Sequence, residues 1–146
     1  MKLTNKGRYA VMAMAELAKH DTKLPMNLSE ISIRQGISMS FLEQIFLQLK
    51  NKDLVQSVRG PSGGYILMKS PEEIKLSNII NAVDEKVRTV RCKKDSKKGC
   101  NGKSIKCITH DLWAELEHHI MYFFEKNTLR DLVSKTNNKF DLEIKK

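Results

Sequence analysis

Two short helical patterns joined by a glycine, at about residues 28–50, restrict the fold more than any other part of this chain. Asn27, with Glu30 three residues later, forms a capping-box pattern that predicts the start of the first helix. Gly36 can adopt the positive φ of a tight turn, and Ser38 can cap the helix that follows. This order is typical of a helix-turn-helix, in which the second helix is presented outward.

The second of these helices is predicted to be amphipathic. The apolar stripe that would face the core is Phe41, Leu42, Ile45, Phe46 and Leu49. On the other face, Ser38 and Ser40 can donate to phosphate or bases, and Gln44 can pair with adenine. Glu43 can accept a hydrogen bond from a cytosine amino group, which would let it discriminate between DNA sites. An alternative is that Glu43 forms a capping box with Ser40 and turns back to its own backbone.

Two β-prone runs follow, at 54–59 and 65–68, on either side of the sequence Gly-Pro-Ser-Gly-Gly. They predict a hairpin with a glycine-rich tip, the wing of a winged helix-turn-helix, at about 54–68. Arg59 stands beside that tip, where an arginine can enter a narrow minor groove; the alternative is an exposed turn residue. A phosphate-binding P-loop is not favoured, because Tyr65 stands where that motif needs lysine followed by serine or threonine.

Size and charge agree with a small DNA-binding protein. A chain of 146 residues suits one domain, or one domain with an appended element. It carries 26 Lys and Arg against 17 Asp and Glu, a net charge of +9 that favours polyanionic partners. Lys2, Lys6 and Arg8 are candidates for phosphate contacts or are ordinary surface charges. A basic surface can also serve solubility or bind anionic lipid.

Two classes of protein are not favoured by the sequence. No apolar run approaches the roughly 18 residues of a membrane span, so a cytoplasmic protein without membrane contact is expected. No nucleophile–base pair and no paired carboxylates indicate a catalytic pocket, so we do not expect an enzyme.

Outside the helix-turn-helix and the wing, the chain combines further helices with a stretch that has no periodicity. Thr4 can cap a first helix, and a short helix is predicted at about 76–83. Periodicity is lost from about residue 86 to 109, and a long amphipathic helix then begins at Asp111. We therefore predict a mainly α fold with a small β-hairpin, a winged helix-turn-helix domain followed by a long C-terminal dimerisation helix.

The long helix carries a broad apolar stripe that a small domain cannot easily cover. Pairing with the same helix of a second copy would bury it, so we predict a homodimer. The candidate interface residues are Trp113, Leu116, Ile120, Phe123 and Phe124. The alternative is packing on the first helix of the same subunit, and we expect some residues to do each. A two-fold dimer would place two recognition helices about 34 Å apart on a pseudo-palindromic site.

All three cysteines lie in or near the stretch without periodicity. An odd number of cysteines argues against a disulfide framework and for free thiols or metal ligands. Cys107 and His110 are three residues apart, which brings both side chains toward one side of a helix start. With Cys92 and Cys100 they could share a metal, or they are ordinary thiols and a surface histidine. Three Cys and one His would also suit zinc, although the spacing fits no compact zinc motif.

Four stretches of the chain carry a resemblance to a known family. They are MKLTNKGRYAVMAM at the start, QGISMSFLEQIF in the second helix, SVRGPSGGYIL in the wing, and Cys-Ile-Thr-His followed by Asp-Leu-Trp. Together they resemble the IscR family of iron-sulfur cluster regulators, over nearly the whole chain up to about Val133. The resemblance implies a dimeric winged-helix repressor and activator that controls cluster-assembly genes. It also implies a 2Fe-2S cluster held by Cys92, Cys100, Cys107 and His110.

The cysteine loop departs from the family pattern. Seven residues separate Cys92 from Cys100 and six separate Cys100 from Cys107, a longer and more lysine-rich loop than is usual there. A sister regulator that senses nitric oxide or iron supply, a zinc-stabilised regulator, and a small electron carrier are the alternative functions. The proposed divisions are a winged helix-turn-helix domain at 1–85, a cluster-binding loop at 86–110, dimerisation helices at 111–134 and a polar tail at 135–146.

Overall fold

The computed structural model describes residues 3–20, 23–89 and 106–135. Its elements are α1 (Asn5–Lys19), α2 (Leu28–Gln35), α3 (Met39–Asn51), β1 (Val55–Val58), β2 (Gly64–Leu67), α4 (Leu76–Ala82) and α5 (His110–Lys126). A further short helix covers 129–135. The predicted fold class, mainly α with a small β-hairpin, is confirmed. No helix in the described ranges is long and apolar enough to cross a membrane.

The helix starts are set by local side-chain caps, as the sequence predicts. The side chains of Thr4 and Ser38 accept hydrogen bonds from backbone N–H groups in the first turns of α1 and α3. Asn27 Oδ1 accepts from the N–H of Glu30 at 2.8 Å. Gly36 ends α2 with φ of 65°, in the left-handed region that favours glycine. These caps place α2 and α3 as the two helices of a helix-turn-helix.

The hairpin is joined to the helices through the segment that precedes α2. β1 and β2 are antiparallel, and Gly63 N–H donates to the carbonyl of Gly60 at 3.0 Å across the tip. Met26 and Tyr65 exchange two backbone hydrogen bonds, of 3.1 and 2.8 Å. A Cβ on Gly64 would lie 2.3 Å from the carbonyl oxygen of Met26, so only glycine permits this approach. The wing therefore has a fixed position beside the helix-turn-helix.

The core lies between α1, the helix-turn-helix, α4 and the short helix at 129–135. Its largest fully buried side chains are Phe46, Met14, Met26, Ile31, Leu42, Ile45, Leu49, Ile74, Ile79, Ile80, Leu129 and Val55. The chain after α5 returns to this core, because Leu129 N–H donates to the carbonyl of Ile74 at 2.8 Å. None of the residues of α5 is buried. Consequently α5 lies at the edge of the domain.

Candidate nucleic-acid interface and candidate metal centre

The exposed face of α3 brings together the side chains that the sequence predicts to contact DNA. Ser38 caps the helix, and Ser40, Glu43 and Gln44 follow it within the first two turns. All four side chains are exposed. Hydroxyl, carboxylate and amide groups thus form one polar surface at the N-terminal half of the second helix of the motif. In helix-turn-helix proteins, this is the part of the helix that lies closest to base edges.

The start of α3 bears on one of the two predicted roles of Glu43. The Ser38 hydroxyl accepts a hydrogen bond from the N–H of Phe41 at 3.4 Å, so Ser38 is the N-cap and α3 begins at Met39. Ser40 therefore lies inside the helix, and the alternative of a Ser40–Glu43 capping box is wrong. Within the described part of the chain, no hydrogen bond or ion pair holds the Glu43 carboxylate. The predicted contact of Glu43 with DNA stays a prediction.

The wing carries Arg59 next to its tip and is linked to α3 by a lysine side chain. Arg59 follows β1 directly, next to Gly60, and is exposed. Lys50 Nζ donates to Ser57 Oγ at 3.0 Å, which ties the last turn of α3 to β1. Sequence reasoning missed this link, because it depends on how the hairpin folds back on the helix. This hydrogen bond links the last turn of α3 to the strand that leads to Arg59.

The N-terminal end of α1 carries two basic residues and is held by a distant carboxylate. Lys6 is half-buried and Arg8 is exposed, whereas Lys2 lies outside the described residues. Glu85 Oε1 accepts from the backbone N–H of Thr4 at 3.0 Å, and Glu85 Oε2 accepts from the Thr4 hydroxyl. Glu85 is only 8% exposed. This contact fixes the N-terminal end of α1, which carries Lys6 and Arg8.

Glu85 reaches α1 because of how α4 ends. Asp84 adopts φ of 55°, and the Glu85 N–H donates to the carbonyl of Ile80 at 3.1 Å, as in a helix C-terminal turn. A Cβ on Gly7 would lie 3.0 Å from the Glu85 Cγ, so the absence of a side chain at Gly7 makes room for the carboxylate. Sequence reasoning missed this contact, since no local pattern joins residues 81 positions apart.

Two of the four predicted cluster ligands lie together at the start of α5. The His110 N–H donates to the carbonyl of Cys107 at 3.0 Å, which closes one turn and places the two side chains at the same helix end. Cys107 is a half-buried free thiol, 3.7 Å from the hydroxyl of Thr109. Cys92 and Cys100 lie outside the described residues, as do residues 90–105 of the predicted loop and the tail after 135.

Both ends of the cysteine loop are attached to the first half of α5. Thr89 N–H donates to Glu117 Oε1 at 2.6 Å, and the Thr89 hydroxyl donates to the carbonyl of Trp113 at 3.0 Å. Cys92 follows Thr89 by three residues in the sequence. Three thiols and one imidazole form a donor set that an iron-sulfur cluster or zinc accepts.

The described residues alone do not form a complete metal site. In these ranges, no group of three or more His, Cys, Asp or Glu residues could hold a metal ion. This agrees with the position of two candidate ligands outside them. The ligand set predicted from the sequence stays a prediction.

The candidate dimer residues of α5 divide into two sets. Trp113 and Phe123 are 37% and 57% exposed, and Leu116 and Ile120 are half-buried. Phe124 instead packs against the core of its own subunit. It also borders an open groove of about 430 Å³ between α1, α4 and α5. An apolar helix face and an adjoining groove are thus left open on one side of the subunit.

A model of the Rrf2 family, described as iron-dependent transcriptional regulators, matches residues 3–135. The chain belongs to the Rrf2 family. The resemblance predicted from the four sequence stretches is thereby confirmed. Since Rrf2 proteins are transcriptional regulators, the finding also agrees with the prediction that this chain is not an enzyme.

Curated relatives and solved structures agree with membership of the Rrf2 family. The chain is 49% identical to the HTH-type transcriptional regulator IscR of Pectobacterium carotovorum, over 99% of this chain and 84% of that protein. It resembles the structure of CymR, the global cysteine regulator of B. subtilis, with a TM-score of 0.76 and 30% identity over 92% and 98% of the two chains. T. potens IscR gives a TM-score of 0.74 at 33% identity, over 93% and 88%. The protein is a transcriptional regulator of the IscR type.

Proposed function

We propose that this Rrf2 protein is a homodimeric regulator that binds a pseudo-palindromic DNA site and senses an iron-sulfur cluster. The observation that carries the DNA-binding part is the exposed polar face of α3, joined to the wing through Lys50 and Ser57. The net charge of +9 supports the same conclusion, because it favours a phosphate-rich partner. The proposed setting is the cytoplasm, and the proposed targets are cluster-assembly genes.

In this proposal α3 lies in the major groove and the wing tip reaches the adjacent minor groove. Ser38 and Ser40 donate to phosphate or base edges, and Gln44 makes paired hydrogen bonds to adenine. Glu43 accepts a hydrogen bond from a cytosine amino group. Where no such donor faces it, its carboxylate is repelled by the DNA phosphates, so Glu43 discriminates between DNA sites. Arg59 enters the minor groove, where negative potential is concentrated.

The proposed cluster ligands are Cys92, Cys100, Cys107 and His110. When bound, a 2Fe-2S cluster would supply a redox-active group whose presence depends on the iron supply. The protein's own contribution is the attachment of the loop: Thr89 holds one end to α5, and Cys107 leads directly into it. A change in the conformation of the loop would therefore affect the position of α5 first.

A second copy of the chain is the proposed partner for α5. The helix has no buried residue, although Trp113 and Phe123 are large and apolar. Burial of such side chains contributes about 1.5 to 3 kcal/mol each, so an uncovered face of this kind favours association. Because α5 also holds the loop ends, occupancy of the cysteine loop and the geometry of the dimer would be connected.

DNA binding is tested by the dependence of affinity on salt. Contact with about 6 to 10 phosphates would release counterions and lower affinity by roughly 10³ to 10⁵ between 50 and 200 mM salt. The measurement uses fluorescence anisotropy with a duplex selected by the chain from a random library. A nearly flat salt response would contradict the proposed DNA contact.

The cluster is tested by the absorbance spectrum and metal content of protein purified without oxygen. We expect visible charge-transfer bands with iron and acid-labile sulfide, and loss of these bands in Cys107→Ser. His118→Ala is a matched control, since His118 is an exposed residue of α5 outside the proposed ligand set. Colourless protein that carries stoichiometric zinc would overturn the cluster and establish a zinc-stabilised regulator.

A further inference from the structure

Leu47 is a large aliphatic side chain of α3 that lies outside the core. It is 59% exposed, whereas four other apolar residues of the helix are fully buried. Those at 0% exposure are Leu42, Ile45, Phe46 and Leu49. Met39 at the helix start is 40% exposed, and Phe41 is half-buried. Replacement of Leu47 by a polar residue would thus cost the core little. Its side chain is therefore accessible to a partner of the exposed face of α3.

The position of Leu47 places it inside the candidate DNA-contacting face. It follows Gln44 by three residues, Glu43 by four and Ser40 by seven, all spacings that align side chains on one side of a helix. Glu43 and Gln44 therefore flank it on the helix surface. From Ser40 to Leu47 the helix rises about 10 Å, the length of roughly three base pairs.

A leucine in this position meets a surface with one kind of apolar group. The major-groove edges of the bases carry hydrogen-bond donors and acceptors, and only thymine adds a methyl group. Leu47 against that methyl group would bury apolar surface on both sides. Against a G·C pair it would instead remove water from polar atoms and replace no hydrogen bond, which is unfavourable. The side chain would therefore favour thymine and disfavour G·C pairs.

We propose that Leu47 is a specificity-determining residue that contacts the 5-methyl group of a thymine in the major groove. The inference rests on the proposed function of α3 as the helix that reads DNA. It adds an apolar contact to the polar contacts of Gln44 and Glu43. It also predicts that a thymine lies within about one base pair of the bases those residues contact.

The test removes single methyl groups from the DNA. A duplex is first selected from a random library by the wild-type chain, and each thymine is then replaced in turn by deoxyuridine. For wild type we expect one position in each half-site where the substitution weakens binding about fourfold, the value of one buried methyl group. Leu47→Ala should bind the thymine duplex more weakly and lose its sensitivity at that position.

Two further variants separate this contact from general effects. Leu47→Met keeps an apolar side chain and should retain the deoxyuridine sensitivity. Ile33→Ala removes an aliphatic side chain that is 81% exposed on α2 and should leave the whole profile unchanged. Thermal unfolding monitored by circular dichroism establishes that each variant is folded, as expected for an exposed position where alanine favours the helix.

The outcomes distinguish the inference from the function on which it rests. If wild type binds the selected duplex and Leu47→Ala shows the same deoxyuridine profile, the methyl contact is overturned while DNA binding stands. If wild type enriches no duplex, both the proposed function and the inference are overturned. If Ile33→Ala changes the profile as Leu47→Ala does, the effect is not a local contact, and the inference is again overturned.

Discussion

The buried carboxylate of Glu85, three residues after the end of α4, connects that segment to the first turn of α1. It accepts two hydrogen bonds from Thr4 at the N-terminus of the helix, where the helix dipole favours negative charge. The residue comes directly before the predicted cysteine loop. The start of that loop is therefore fixed relative to α1, which bears Lys6 and Arg8.

The first prediction concerns Glu85→Gln. The substitution keeps the shape of the side chain but replaces a charge-assisted hydrogen-bond pair by a weaker one at a buried position. We expect the free energy of unfolding to fall by about 1 to 3 kcal/mol in urea denaturation. Glu115→Gln, at an exposed position of α5, is the control and should change stability little. Equal stability of the two variants would contradict the proposed importance of Glu85.

The second prediction concerns Gly7 and its coupling to Glu85. In most helices, replacement of glycine by alanine stabilises by about 1 kcal/mol. Here the new Cβ would lie 3.0 Å from the Glu85 Cγ, closer than ordinary contact, so Gly7→Ala should fail to stabilise wild type. In a Glu85→Ala background the space is open, and the same substitution should stabilise by about 1 kcal/mol. A double-mutant cycle in urea measures the difference, and additive effects would refute the contact.

Contacts of single residues differ in whether the sequence alone reveals them. Ser38 could be identified as a cap because its partner is three residues away, and the pattern is visible in the sequence. The contact of Thr4 with Glu85 spans 81 residues and depends on the left-handed turn at Asp84. Nothing local distinguishes Glu85 from an ordinary surface glutamate. Leu47 differs again, because its place on the polar face of α3 follows from helical spacing alone.

Among the elements, the wing is the one whose predicted role depends most on a single side chain. Arg59 follows β1 at the tip, and the hydrogen bond from Lys50 to Ser57 holds that strand against α3. The element itself could be predicted, because alternating β-prone residues on either side of Gly-Pro-Ser-Gly-Gly leave few other structures. Its orientation could not, since it depends on contacts between β2 and Met26.

The third prediction concerns Arg59→Ala. Loss of the guanidinium should weaken binding to a selected duplex by about 1 to 3 kcal/mol and leave thermal stability unchanged, because the side chain is exposed. Lys69→Ala, just after β2, removes one positive charge from the base of the same hairpin and is the control. Equal loss of affinity in both variants would show that only overall charge matters.

The junction of α4 and α5 provides a pH-dependent contact. The hydrogen bond from Lys75 and then that from Ser77 hold the pKa of the Glu125 carboxyl below its ordinary value of 4.5. Ser77 Oγ donates to Glu125 Oε2 at 2.5 Å. Because the pKa is lowered in the folded state, the stabilisation is complete above the ordinary value. It is lost as pH falls through the lowered pKa.

The fourth prediction follows from that sign. In Glu125→Gln the free energy of unfolding should decline less steeply below about pH 4.5 than in wild type. The effect is modest, since Glu125 is exposed and solvent screens the ion pair. Urea unfolding at a series of acidic pH values measures it, with Ser77→Ala expected to lie between the two. Parallel curves for wild type and Glu125→Gln would exclude this contribution.

The described part of the chain is a folded domain in which the apolar face of α5 is left uncovered. The fold class could be predicted because helix caps, the glycine turn and the hairpin pattern are all local. The arrangement of the ligand loop could not, since the contacts of Thr89 with Trp113 and Glu117 join segments more than 20 residues apart. Those contacts attach the loop to α5, the helix with no buried residue.

The last prediction tests whether α5 is the dimer interface. Trp113→Asp combined with Phe123→Asp places two carboxylates on the apolar face, and an unpaired charge cannot be buried there without a large cost. We expect a monomer in analytical ultracentrifugation, at concentrations where wild type is a dimer. Both side chains are exposed in the subunit, so circular dichroism should show a folded domain.

The affinities for duplexes with one and with two half-sites then measure how loss of the dimer affects DNA recognition. A dimer with two recognition helices about 34 Å apart binds a duplex with two half-sites far more tightly than one half-site. The double variant should lose that advantage and bind both duplexes with similar, weak affinity. Ile33→Asp, an exposed substitution on α2, should retain the dimer and its preference. A folded double variant that remains dimeric would place the interface elsewhere, and the open face of α5 would then need a different partner.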